Sequence, residues 1–161
     1  MEDNRLIGIR GKIGAGKDTV AKLILQYSVR DLVTGGNAPE DIGILEEYSC
    51  WEIKKFATKV KQIAYLLTGY SITKFEDQEF KKQKLGQEWN DMTAREMMIK
   101  IGTECMRDNL HPDTWVNALF VDYIQPYQQD WIITDLRFKN ELERIRKYNG
   151  INLSQPCVQP F

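Results

Sequence analysis

The sequence is poor in the residues that carry the commonest side-chain chemistry. It has a single histidine, His111, and three cysteines, Cys50, Cys105 and Cys157, which are widely spaced with no CxxC among them. An odd, dispersed set of thiols builds neither a disulfide framework nor a zinc site, and it fits a reducing cytoplasm. No cysteine has an adjacent histidine, so a thiol nucleophile has no support. His111 reads as a solvated loop residue. The net charge of −1 leaves no basic field, which argues against nonspecific nucleic-acid binding. No apolar run approaches the ~18 residues that cross a bilayer. The amino-terminal stretch, MEDNRLIGIR, is charged and has no signal-peptide core, so no membrane partner is expected. There is no internal repeat and no low-complexity segment. At 161 residues the chain is read as one domain with a sizeable core.

What is present is concentrated early. Gly11–Thr19 reads GKIGAGKDT, after the apolar run Leu6–Ile9 and before an amphipathic pattern. Strand, glycine-rich turn and helix are the context of a phosphate-binding loop. Gly11, Gly14 and Gly16 let successive backbone N–H groups point at one anion, with Lys12, Ile13 and Ala15 between them. The helix that follows adds its positive end, and Lys17 reaches the outer phosphates. The residue after that lysine is usually Ser or Thr, whose hydroxyl holds magnesium; here it is Asp18, followed by Thr19. Two like charges ~4 Å apart repel by about 4 kcal/mol at an effective dielectric of 20. Asp18 therefore either serves a bridging magnesium ion or points away from the nucleotide, as an acidic first-turn residue stabilising the helix dipole.

The rest of the chain alternates strands and helices. Val20, Leu23, Ile24 and Tyr27 mark one face of the first helix, which ends before the breakers at 34–39. Residues 37–50 read as an acidic surface loop and 51–56 as a strand. Phe56, Val60, Ile63, Ala64 and Leu67 predict a helix that stops at Gly69. The charge-rich stretch 70–92 is either a solvated face or a lid. Thr93 and Glu96 form a capping box for a helix carrying Ala94, Met98, Ile101 and Cys105 inward. A helix capped by Asp113 puts Trp115, Leu119 and Tyr123 on one face. A buried strand, Trp131–Thr134, ends in Asp135, and a helix with Phe138, Leu142, Ile145 and Tyr148 inward runs to Gly150 before a last strand at 151–154. This order predicts an α/β fold of three layers, α/β/α, around a mostly parallel sheet. Ligands in such sheets bind beyond the carboxyl ends of the strands, where the loop and Asp135 both lie.

Several charged residues have chemical readings. Asp135 can orient magnesium through water, or initiate a turn. Arg137 leaves the same strand end and suits phosphate oxygens; its plain alternative is a surface ion pair with Glu141. Arg95 and Arg107 lie twelve residues apart, an offset of about 120° on an ideal helix. They flank one anion only if the chain bends near Gly102 or if they approach it from different sides.

GKIGAGKDTVAKLI (11–24), FATKVKQIAYLLTG (56–69), FEDQEFKK (75–82), TAREMMIKIGTECMRDN (93–109), WVNAL (115–119) and TDLRFKNELERI (134–145) together resemble the deoxynucleoside monophosphate kinases of tailed bacteriophages. The blocks keep that family's order and span most of the chain. The resemblance implies a P-loop kinase core with a helical lid or acceptor region, magnesium as cofactor, and transfer of a phosphoryl group from ATP to a deoxynucleoside monophosphate. It implies the cytoplasm of an infected host. It places Gly11–Thr19 and Lys17 on ATP, Asp18 and Asp135 on the metal, and Asp135 and Arg137 beside the transferring phosphate. Lys61, Arg95 and Arg107 fall near the monophosphate. The family itself carries Asp after the lysine. Glu104 and Trp115 match motif positions without an assigned role. Members usually continue past the equivalent of Gly150 with a strand and a helical segment on the adenine side, whereas this sequence ends at Phe161. A small-metabolite P-loop kinase and an inactive nucleotide-binding derivative are the rival readings. Neither the accepted base nor the oligomeric state is specified by these residues; a homodimer is compatible with them.

Overall fold

The structure is a computed structural model that describes residues 5–12, 14–29, 42–124 and 130–154. It is α/β, and the chain divides into two compact units: Met1–Lys55 with Tyr123–Phe161, and Phe56–Asp122.

In the first unit, β1 (Leu6–Arg10), β2 (Trp51–Lys54), β3 (Asp130–Leu136) and β4 (Ile151–Ser154) form a four-stranded sheet in the order β2-β3-β1-β4. Every pairing is parallel. All strands therefore present their carboxyl ends at one edge. The period-two alternation splits the apolar residues between two faces. Ile9, Ile132 and Trp51 pack with Ala21, Leu25 and Val29 of α1 (Lys17–Val29) and Leu45 of α2 (Ile42–Tyr48). On the opposite face Ile145 of α6 (Lys139–Lys147) approaches Gly8 so closely that a Cβ there would lie 2.5 Å from its Cδ1. Each fully buried Leu or Ile in these layers contributes about 1.5–3 kcal/mol relative to exposure.

Several elements differ from the pattern reading. Of the expected face of α1, Val20 and Ile24 pack partly buried against the core and Leu23 and Tyr27 are exposed, while the fully buried residues are Ala21, Leu25 and Val29. Residues 42–48 form a helix within the expected loop; its seven residues, with Leu45 fully buried, are too few to show a period in the sequence. Residues 30–41, including the breaker cluster, lie outside the described residues. After α6 the left-handed residue is Asn149, with φ of 56°. Gly150 is required instead for close approach, since a Cβ there would sit 2.9 Å from the Leu6 carbonyl.

The second unit is built on α3 (Phe56–Thr68), α4 (Ala94–Ile99) and α5 (Thr114–Phe120). Phe56, Ala64, Phe75, Leu85, Ala94 and Met97 are buried in it. The charged stretch 70–92 is a series of short 3₁₀ turns around Phe75, which is 0% exposed and meets Phe80 edge to face, as Tyr70 does. Thr93 and Glu96 form the expected capping box on α4. Beyond Ile99 the helix widens to i→i+5 winding over Lys100–Asp108. Such a π segment is rare at this length and is frequent near functional sites. It carries Cys105 to the surface, although α-helical spacing would bury it.

Candidate active site

The glycine-rich turn has the geometry its sequence demands. Gly14 has φ of 79° and Gly16 of 72°. Around Gly14 a Cβ would meet nothing within 4 Å, so the backbone angle alone requires glycine there. Ala15 N–H donates to the Lys12 carbonyl at 3.2 Å, and Val20 N–H to the Gly16 carbonyl at 2.9 Å, joining the turn to the helix. Lys17 Nζ folds back and donates to the carbonyls of Gly11 and Lys12 at 2.9 and 2.8 Å. The ammonium is thus held at the mouth of the loop. Ile13 lies outside the described residues, and Thr19 is exposed in the first turn of α1.

Asp18 is placed by two partners. Thr134, only 1% exposed near the end of β3, donates its hydroxyl to Asp18 Oδ1 at 2.9 Å. Lys55, the residue after β2, approaches the same oxygen at 2.9 Å. Burial acts to raise the Asp18 carboxyl. The hydrogen bonds from Lys55 and Thr134, with the charges of Lys55 and Lys17, outweigh it and hold the group below the ordinary carboxylate value. The carboxylate faces the strand ends, towards Thr134 and Lys55.

The strand-end residue that meets Asp18 is thus Thr134. Asp135, half-buried, follows it next to an irregularity in the β1–β3 register between Gly8 and Arg10. Bulges of this kind re-aim side chains beside active sites. The ion pair weighed as the alternative for the Arg137 side chain and Glu141 takes a different form. Glu141, 2% exposed, accepts the backbone N–H groups of Arg137 and Phe138 at 2.7 and 2.9 Å. It caps α6 with a charge-assisted pair of bonds, and Arg137 is an exposed residue at the strand end.

Lys55 was not singled out in the sequence. The usable signal was positional: it directly follows a strand in a parallel sheet, at the edge where ligands bind.

The expected acceptor residues lie in the second unit. Lys61, on α3, has a side chain only 11% exposed and donates to Glu76 Oε1 at 2.7 Å. Arg95, on α4, reaches Gln78 Oε1 at 3.4 Å. The π segment resolves the angular problem of Arg95 and Arg107. An i→i+5 winding holds about 4.4 residues per turn, an advance of about 80° per residue against 100° in an α-helix. Over the seven steps from Lys100 to Arg107 the lag is about 140°, which cancels the original offset. The two arginines therefore lie nearly in line, at most about 18 Å apart along the axis.

Trp115 acquires a structural role here. Its indole N–H donates to the Gly102 carbonyl at 2.7 Å, satisfying a backbone acceptor inside the π segment. Glu104 is paired with Lys100 at 3.1 Å. His111 accepts the Asp113 N–H on Nδ1 at 3.0 Å and belongs to the turn before α5. An open hollow in the same unit, lined by Asn90, Asp91, Met92, Glu96, Lys100 and Glu104, is largely acidic, the wrong sign for an acceptor phosphate.

Among the described residues no cluster of three His, Cys, Asp or Glu side chains could hold a metal, and no helix is long and apolar enough to cross a membrane. Cys50 and Cys105 are free thiols; Cys157 lies outside the described residues.

A family profile described as deoxynucleotide monophosphate kinase matches residues 37–153. A deoxynucleoside-5'-monophosphate kinase of Escherichia phage T5 is 26% identical over 194 aligned positions, covering 95% of this chain and 76% of that protein. A protein of Acanthamoeba polyphaga mimivirus, provisionally named a deoxynucleotide monophosphate kinase, is 25% identical over 167 positions, covering 95% of this chain and 75% of its own length. The family match starts after the glycine-rich loop. The chain belongs to the deoxynucleotide monophosphate kinase family.

Proposed function

We propose that the protein transfers the γ-phosphoryl group of ATP to a deoxynucleoside monophosphate, giving ADP and the deoxynucleoside diphosphate. The observation that carries this reading is the loop Gly11–Thr19, with Lys17 at its mouth and Asp18 turned towards Thr134 and Lys55 at the carboxyl edge of a parallel sheet. Its backbone N–H groups and Lys17 hold the β- and γ-phosphates. Arg137, leaving β3, neutralises charge that develops on the transferred group. Lys61, Arg95 and Arg107 receive the acceptor. No general base is needed, because the attacking atom is already an anionic phosphate oxygen.

Magnesium fits the donor set. Asp18 and Asp135 offer hard carboxylate oxygens and Thr19 a hydroxyl, and an ion held largely by phosphates and water needs only one or two protein carboxylates. Bound there, it would supply positive charge that offsets the charge of the donor phosphates. Asp18 would orient it, and the hydrogen bond from Thr134 keeps that carboxylate aimed.

The test is a panel of the four common deoxynucleoside monophosphates with ATP and magnesium, scored for ADP release, with Lys17→Ala as control. Turnover on at least one, lost in the control, is expected. Retained ATP binding with no turnover on any of them defeats the reading.

A further inference from the structure

Three cationic side chains from three different elements meet at the turn 76–78 of the second unit. Lys61 reaches it from α3 and bonds the Glu76 carboxylate at 2.7 Å. Arg95 reaches it from α4 and bonds the Gln78 side chain at 3.4 Å. Lys81, in the 3₁₀ turn Phe80–Lys82, donates its Nζ to the Glu76 backbone carbonyl at 3.1 Å. We propose that Lys81 is a phosphate-binding residue of the acceptor site, closing a three-cation cradle with Lys61 and Arg95. The proposal rests on the kinase reading above and adds a residue to its acceptor side.

The charge balance carries the argument. The carboxylates near Lys81 are Glu76 and Asp77. Glu76 already bonds Lys61, and Asp77 Oδ1 accepts the Phe80 N–H at 2.6 Å. The surplus at the turn is positive. The Lys81 ammonium is held below the ordinary lysine value, first by burial and then by the charges of Lys61 and Arg95, which Glu76 and Asp77 only partly offset. A clasp on the Glu76 carbonyl requires one donor of any charge. It does not require an ammonium crowded by two more cations. A phosphate dianion is the ligand whose charge relieves that crowding and whose oxygens accept from all three groups. Lys61 is rigid because its side chain is buried, so the cradle is formed before the ligand arrives.

The experiment is calorimetric titration of the full chain with each of the four deoxynucleoside monophosphates, the matching deoxynucleosides and ATP, on wild type, Lys81→Gln, Lys81→Arg and Arg95→Gln, with thermal melts as a folding check. Lys81→Gln is expected to weaken the preferred monophosphate at least tenfold, to leave deoxynucleoside and ATP affinity unchanged, and to raise the monophosphate KM by a similar factor. Lys81→Arg is expected to retain most of the affinity, which rules out mere loss of fold. If Arg95→Gln loses monophosphate affinity while Lys81→Gln stays within twofold of wild type, this proposal fails and the kinase reading stands. If Lys81→Gln weakens deoxynucleoside and monophosphate equally, Lys81 is only a turn clasp and the proposal is overturned. If wild type binds ATP but none of the four monophosphates, the kinase reading fails and this proposal falls with it.

Discussion

The two units assemble the polar contacts of their candidate sites over different lengths of chain, although Lys59 and Asp122 of the second also pair across 63 residues. In the first, Asp18 meets Thr134 across 116 residues of chain, and Arg5 meets Asp130 across 125. In the second, Lys61 meets Glu76 across 15, Arg95 meets Gln78 across 17 and Lys81 meets Glu76 across 5. The phosphate loop thus depends on the sheet being built, because parallel pairing alone brings the ends of β1, β2 and β3 together. The cation turn depends on short-range folding around Phe75 and Phe80. Disturbing the first should therefore alter nucleotide chemistry, and disturbing the second should alter acceptor handling or the local stability of its helices.

The largest effect expected from this contrast is at Lys17. Lys17→Ala removes the charge at the loop mouth, and a single transition-state cation of this kind is worth about 3–4 kcal/mol, a rate loss on the order of 10²–10³. Monophosphate affinity measured by calorimetry should stay within threefold. A comparable loss of monophosphate binding would show that the two sets of residues are not separable. Next comes Trp115→Phe. It keeps the buried ring and deletes the donor to the Gly102 carbonyl, at a cost of about 1–3 kcal/mol. The melting temperature should fall while ATP affinity is kept, and monophosphate affinity should drop if the π winding is what aligns Arg95 with Arg107. Unchanged melting would mean the indole bond is dispensable.

Asp18→Asn should have the smallest effect on stability and the most specific one on function. The Asp18 carboxyl is held below its ordinary value, so its stabilisation is present above the unfolded carboxylate pKa, near 4. It is lost as pH falls through the lower folded value. The variant should accordingly flatten only the acid limb of the stability profile below about pH 4. At neutral pH it should weaken the magnesium dependence of ATP affinity. If that dependence is unaltered, Asp18 is a partner of Lys55 and Thr134 and not of the metal.

Much of this architecture was legible. The strand–glycine turn–helix and the alternation of strands with helices predicted a parallel α/β sheet, and the Thr93–Glu96 capping box was readable because both partners lie within one turn. What was not legible has identifiable causes. The face of α1 was half legible: Val20 and Ile24 pack against the core, but the fully buried contacts include the small Ala21, which an apolar count of large side chains passes over. Helix α2 escaped because seven residues with one buried leucine carry no measurable period. Glu141 was weighed as a surface partner for the Arg137 side chain because a burial of 2% cannot be read from a carboxylate in a charged run.

Residue order alone dictated the loop, its glycines and the lysine, since backbone angles and a charge on a short tether are local properties. Tertiary packing determined which groups face that lysine's neighbour, because Thr134 and Lys55 reach Asp18 only after three strands have paired in parallel. It also determined the winding between Arg95 and Arg107, where the Trp115 indole donates to the Gly102 carbonyl inside the π segment.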